Sequence, residues 1–566
     1  MLNFILEFII LYCFFFIATI GYGHFLLKIL NVRKFYVGLS GIVGLFFCSF
    51  IITFLHFFFA ISEKNNLIIL LLGLVIFIYT NKNKLFEYFQ FNLKKIIIII
   101  FILTTLLMFY GYKPHEDFGF YHLPYIKSFL SEKIIFGFVN INDAYLWNSM
   151  LFNLSTLFVL PHFGIKGIFI VPIIFYSFFI LILINEIFLN FKKNYFYPSC
   201  IFSLLVLFYF IIKFSRIAEF GVDIPSHILA LLVILYFIKF FEYNNISTQK
   251  RYHYVVLIFL LSIFSLTVKI SNISILIFSF FILILNLKFL NFKKFLFPLT
   301  FLLIFLLLWI VQQFIYSGCF FFPLNFTCFD TIWSSKKNIQ EIISLLEVTN
   351  KSFGVYKGQL MANEYIQNFN WISNWFSRNK IEFTEHILAI LIAPALLLVI
   401  NSNLKNKEKK FFFIINSRYF YLSTILYIFL SYFIWFSKSP VARFAIPFFI
   451  VSIFFIIYLF SIKNKFFNIN NQSIFYLIII CLIFNLNKNS LRVLKNNDVE
   501  SFWPKIIDNK YITIQKIADN IYQNKPNNEL NTGNQGALCW NIDFICSYTN
   551  KKLKYNFYNN YLIIEK

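Results

Sequence analysis

The chain has 566 residues, 60% hydrophobic, 22% aromatic and only 13% charged, with a formal charge of +24 and a mean hydropathy of +0.74. A water-soluble fold cannot hide that much apolar surface, and long continuous apolar runs exclude a spanning β-barrel, whose strands alternate. The basic residues sit in short loops rather than one patch, so no nucleic-acid partner is expected; Phe, Ile, Lys and Asn share AT-rich codons, which weakens the positive charge as a sign of an anionic partner.

The fold class that follows is an all-α polytopic membrane protein whose first partner is the lipid bilayer. Fourteen segments read as spans: 4–27, 36–60, 65–80, 96–112, 164–189, 197–214, 224–241, 253–268, 271–287, 295–316, 383–401, 412–434, 442–461 and 472–487. The count ranges from 11 to 14; the pair 253–268 and 271–287 is the least secure, because "VKISN" barely separates them. The first run lacks a basic n-region and a small-residue cleavage site, so it reads as a span rather than a signal peptide.

Basic residues orient the bundle. One set of alternate loops is rich in them, from Arg33 and Lys34 through Lys192 and Lys193 to Lys463 and Lys465; the other short loops carry little beyond Lys64, Arg216, Lys269, Lys438 and Arg443. The positive-inside rule makes the first set cytoplasmic. Both termini then face the periplasm of a bacterial inner membrane. The organisation is 1–112 spans, 113–163 first external loop, 164–316 span core, 317–382 external loop, 383–487 spans and 488–566 a small external segment. Two stretches of the 317–382 loop, "SSKKNIQEIISLLEVTNKSFG" and "NEYIQNFNWISNWFSRNK", read as short amphipathic helices over the bundle. All eight tryptophans fall on or near the external side, which suggests either packed external structure or a surface for sugar rings.

Four cysteines, Cys13, Cys48, Cys200 and Cys481, read as small apolar residues in or beside spans. The others form two external couplets, Cys319 with Cys328 and Cys539 with Cys546, where an oxidising compartment allows disulfides. Pairing within each couplet is the simple expectation, with crossed pairing left open.

The stretch "HEDFGFYHLPYIKSFL" follows span 4 directly. Its apolar residues recur at helical spacing over about 118–130, which suits a helix in the membrane interface. Asp117 either caps that helix or, with Glu116, acts as a surface carboxylate: a general base on an acceptor hydroxyl, or a ligand for a divalent cation. His122 lies about 140° from Asp117 on an ideal α-helix and so need not touch it; it is read as a cap, an anchor or a phosphate ligand. Arg443, then Arg216 and Lys269, are the candidate cations for a phosphate, weighed against snorkelling anchors and, for Arg216, a local pair with Glu219. Asp223, at the mouth of span 7, either caps the helix or lines the site. No P-loop, dinucleotide glycine motif, zinc signature or nucleophile elbow occurs.

The acidic pair after a span, the "D-x-x-x-Y-H-L-P" string from Asp117 to Pro124, and then in order "SRIAEFGVDIP", "TVKIS", "SGCFFFPLNFTCF" and "WFSKSPVARFAIP" together resemble the GT-C superfamily of membrane glycosyltransferases, over about residues 95–450. The resemblance implies transfer of a sugar from a polyprenyl-phosphate donor to a glycan, lipid or protein acceptor at the outer face. It implies Asp117 and Glu116 as catalytic carboxylates and Arg443, Arg216, Lys269, His122 and Asp223 as substrate or phosphate ligands. Many members carry Asp-Asp or Asp-x-Asp where this chain has His-Glu-Asp, so a divalent cation (Mg or Mn) at Asp117 is possible rather than required. The competing readings are a transporter or flippase for a lipid-linked or anionic solute, and a glycan polymerase or ligase of the cell envelope. A transporter would place charges at mid-bilayer depth, often in repeated halves; here they gather at one end of the spans, and no internal repeat is evident.

Overall fold

The computed structural model describes residues 2–32, 36–82, 93–110, 115, 117–193, 195–213, 219–242, 247–289, 292–352, 362–403, 411–464, 469–495, 502–504, 506, 512–518, 521–526, 539–541, 546 and 553–565. A helix stands on each of the fourteen apolar segments. The first four are α1 (Leu2–Ile29), α2 (Val37–His56), α3 (Glu63–Asn81) and α4 (Leu93–Phe109). After the short α5 (Leu123–Ser131) and α6 (Met150–Thr156) come α7 (Ile170–Phe191), α8 (Pro198–Lys213), α9 (Asp223–Phe241), α10 (Thr248–Val268), α11 (Leu276–Asn286) and α12 (Phe292–Ser317). The amphipathic α13 (Lys336–Ser352) and the short α14 (Ala362–Ile366) precede α15 (Ile372–Asn403), α16 (Arg418–Lys438), α17 (Ile446–Asn464) and α18 (Asn471–Lys495).

Among the described residues, eleven helices are long and apolar enough to cross a membrane; α8 and the stretch Ile270–Asn286 are apolar but shorter, and α4 has 17 residues. α7 and α9 are buried almost throughout and form the centre, whereas α3 turns Leu71, Leu72 and Val75 outward. An all-apolar helix suits either a core or a lipid-facing position, and the bundle uses both. Close packing begins with α1 against α2. A Cβ on Gly44 would stand 1.7 Å from the Thr19 carbonyl oxygen, so only glycine permits that backbone approach.

Contacts fix which helix ends share a side. At one end, Glu7 at the start of α1 pairs with Lys166, just before α7, at 2.8 Å and accepts from the Trp503 indole at 2.9 Å. At the other end, Tyr252 at the start of α10 donates to the Leu30 carbonyl just past α1 at 3.0 Å, and β1 (Tyr195–Phe196) pairs with β2 (Phe411–Phe412). Both sets agree with the alternation read from the loops.

Several expectations change. The 317–382 boundary falls inside α15, because nothing between Ile372 and Pro394 breaks a helix, so the second amphipathic stretch runs straight into its span. The C-terminal segment holds two antiparallel hairpins, β3 (Ile512–Ala518) with β4 (Ile521–Pro526), and β5 (Lys554–Tyr558) with β6 (Tyr561–Glu565). The β5–β6 hairpin docks on the first external loop: Phe136 donates to the Leu562 carbonyl and Ile564 donates back to Phe136, both at 2.9 Å. Charges also gather at both ends of the bundle rather than one. Glu186, Lys239, Glu242 and Ser199 interlock α7, α9 and α8 in a buried, mutually hydrogen-bonded group at the end away from Asp117.

Candidate functional site

The site starts from an irregular turn. Residues Phe118–His122 form a π-helical turn in which the Leu123 N–H donates to the Phe118 carbonyl. The sequence explains the irregularity. Pro124 has no N–H, so the Phe120 carbonyl loses its α-helical donor; the Asn142 side-chain amide supplies one instead at 3.1 Å. The looser turn matters because residues five apart are stacked by i→i+5 closure. His122 therefore comes near Asp117, close enough to help hold its charge, instead of lying 140° away as an ideal α-helix would place it.

Asp117 makes no side-chain capping bond to the turn that it opens, so the capping reading is not realised. Its carboxylate lies 3.3 Å from His115 Nδ1, and the same nitrogen lies 3.1 Å from the Asp117 backbone N–H. Nδ1 serves one of these at a time: neutral it accepts the amide, protonated it donates to the carboxylate. Burial pushes the Asp117 carboxyl up, but His115, His122 and Arg443 outweigh it and hold the group below the ordinary carboxylate value. The hydrogen bond to Asp117 raises His115 against the effect of burial. His122 is buried, and burial lowers it to about 4 against the opposing pull of Asp117 and a backbone contact with Phe220.

Three more elements deliver the second half. Asp223 opens α9, Lys269 follows α10, and Arg443 precedes α17. Lys269 Nζ is 2.5 Å from one Asp223 oxygen and Arg443 Nε is 3.5 Å from the other. Asp223 thus lines the cluster rather than capping its helix. Lys269 is also 3.5 Å from the centre of the Phe444 ring, a cation–π contact that fixes the ammonium inside the cluster rather than at the head groups. Arg443 is 53% exposed against 14% for Lys269, so the guanidinium is the cation that a ligand reaches first. The loop carrying Arg443 is held by two indoles: Trp375 Nε1 donates to the Pro440 carbonyl at 2.5 Å and Trp435 Nε1 to the Val441 carbonyl at 2.8 Å.

Arg443 acts electrostatically on both Asp117 and Asp223, and Tyr121 lies near all three. Of the sequence-predicted residues, Asp117, His122, Asp223, Lys269 and Arg443 therefore form one group. Glu116 and Arg216 lie outside the described residues. Among the described residues no three His, Cys, Asp or Glu side chains gather to hold a metal ion. Both disulfides close within their couplets, Cys319 with Cys328 and Cys539 with Cys546. The tryptophans are mostly packed: Trp309, Trp371, Trp375, Trp503 and Trp540 are buried, and only Trp147 is exposed. The five buried ones serve packing.

Three participants were missed. Tyr121 sits four residues after Asp117, inside "HEDFGFYHLPYIKSFL". His227 lies one turn after Asp223 on α9, near Asp223, Lys269 and Arg443, a spacing of four that was readable. Trp540, inside the last cysteine couplet, donates its backbone N–H to the Gly119 carbonyl at 2.9 Å.

These features define a polytopic helical protein with a charged cluster where the loop after α4 meets the mouths of three later helices. The chain belongs to the family described as Domain of unknown function (DUF8201), which matches residues 4–450. No curated protein matches the chain, and no solved structure does.

Proposed function

We propose that this protein is a GT-C-like integral-membrane glycosyltransferase that moves a sugar from a polyprenyl-phosphate donor to an acceptor hydroxyl. In this reading fourteen helices cross a bacterial inner membrane and the cluster faces the periplasm. The observation that carries it is the meeting of an ionised carboxylate, Asp117, with the Asp223–Lys269–Arg443 group.

Transfer needs three things at one point: a proton acceptor, cations for a departing phosphate, and access from the bilayer. Asp117 accepts the proton of the acceptor hydroxyl as its oxygen bonds to the anomeric carbon. The bond from that carbon to the carrier phosphate breaks, and the phosphate leaves as an anion beside Arg443 and Lys269. Asp223 holds the two cations apart and in place beforehand, so little reorganisation remains for the reaction. A carboxyl held below its usual range is a weak base, which suits proton transfer late in bond formation, when the attacking oxygen has become acidic. The acceptor's identity is left as a glycan, a lipid or a protein.

Transport is less well supported. Asp223 and Lys239, at opposite ends of α9, are about 24 Å apart at 1.5 Å per residue, and Ile228 to Phe237 between them are all buried, with the Tyr236 hydroxyl as the one polar side-chain group. That helix offers no polar path between the two charged groups.

The test is transfer from labelled polyprenyl-phosphate sugar in membranes containing the full chain. Asp117→Asn is expected to lower turnover by about 100-fold or more, the usual worth of a general base. Unchanged transfer would remove Asp117 from the reaction; movement of label across the bilayer without transfer would favour the transporter.

A further inference from the structure

We propose that Trp540, held by the Cys539–Cys546 disulfide, is a positioning residue that keeps Phe118–His122 in its π-helical turn and so sets Asp117 and His122 toward the charged cluster. Its positioning role rests on the proposed function of that cluster; its contact with the turn does not.

In an α-helix the Leu123 N–H would bond to the Gly119 carbonyl. Here it bonds to Phe118 instead, which leaves the Gly119 carbonyl without its helical donor. The Trp540 backbone N–H takes that place at 2.9 Å. A donor from 421 positions later in the chain therefore satisfies the group that the π register releases, just as Asn142 satisfies Phe120. If the Trp540 ring no longer seats that N–H on Gly119, the α register regains the advantage, because it gives the Gly119 carbonyl a partner within the helix.

Side chains reinforce the backbone. A Cβ on Gly119 would stand 2.4 Å from the Trp540 indole, so the ring lies against a bare glycine and no larger residue fits. The ring also packs near Phe118, with centroids 6.5 Å apart. Trp540 is 2% exposed and sits at φ +43°, a left-handed conformation that non-glycine residues adopt only when the surroundings hold them. The bond between Cys539 and Cys546 closes a short loop around it. Trp540 lies beyond the family-matched residues 4–450, so the C-terminal segment adds a part to a site built elsewhere.

The test is diethylpyrocarbonate labelling of the full-length protein in nanodiscs, read at each histidine by mass spectrometry. His122 is neutral over the labelling range, so its rate reports access rather than protonation. In the unaltered protein His122 is protected. In Trp540→Ala and in Cys539→Ser/Cys546→Ser its labelling is expected to rise about tenfold, as for a local opening, while buried His227 and His386 stay unchanged. Both Trp540 variants keep the backbone N–H, so they test the ring that seats it against Gly119; Trp540→Phe, which keeps an aromatic ring there, is expected to stay protected. Gly119→Ala perturbs the same contact from the other side and is expected to behave like Trp540→Ala. The proposal is overturned if His122 remains protected in a folded Gly119→Ala protein, or if Trp540→Ala speeds all histidines together. No transfer reaction enters the measurement, so its failure is separate from failure of the glycosyltransferase reading.

Discussion

The His115–Asp117 pair sets the pH behaviour of the turn. Asp117 is held below its ordinary value, so its contribution is present above the ordinary carboxylate range and is lost as pH falls through its folded value. His115 is raised, so its contribution is complete below 6.5 and is lost as pH rises through its folded value. The pair is therefore strongest between about pH 4 and 6.5. Asp117→Asn is expected to lower the His115 pKa, measurable by NMR titration of that imidazole; an unmoved His115 would separate the two. His122 has the opposite sign. Its folded value of about 4 lies below the ordinary 6.5, so acid favours opening of the turn as pH falls between those values. Hydrogen exchange of amides 118–122, corrected for intrinsic rate, is expected to quicken across that window, and a flat profile would contradict the burial of His122. Arg443→Lys keeps the charge but loses the planar fork that grips phosphate; the donor KM is expected to rise about tenfold, or by about 1.4 kcal/mol, with turnover less affected.

Elements owe their form to local chemistry that the sequence displays unevenly. The fourteen apolar segments were readable because runs near 20 residues have few other uses. The start of α15 was not, since an amphipathic stretch that flows into a span carries no break at the join. The β5–β6 hairpin had a signal that went unused: Asn559 and Asn560 fill a two-residue loop at φ +48° and +62°, the conformation that asparagine tolerates. The loop bearing Arg443 shows how an element serves the site. Trp435→Phe removes the indole donor to the Val441 carbonyl, and leaving that carbonyl unpaired costs about 1–3 kcal/mol. The thermal midpoint is expected to fall and donor binding to weaken with it; a stable variant with weakened binding would assign the indole a direct role instead.

At the scale of the whole molecule, the residues of the cluster come from the first loop, α9, the residue after α10 and the turn before α17, 46 positions apart for Asp223 and Lys269 and much farther for Asp117 and Arg443. Their common end was legible, because charges that border apolar spans sit at helix ends, and counting spans assigns each end a side. Their mutual contact was not legible. Which helix mouths adjoin is decided by packing such as Gly44 against Thr19, and no loop charge encodes it. The π-helical turn was hidden for a related reason: Pro124 announces a lost donor, but the partners that compensate, Asn142 and Trp540, are visible only in the fold.

The most direct test of this convergence uses His115→Cys/Arg443→Cys in a chain whose four free cysteines are replaced by alanine. A short bifunctional thiol reagent that does not cross membranes is applied to spheroplasts and then to broken membranes. The account predicts one intramolecular cross-link, formed equally before and after breakage. Failure to link 115 to 443, or linking only once the membrane is broken, would contradict it.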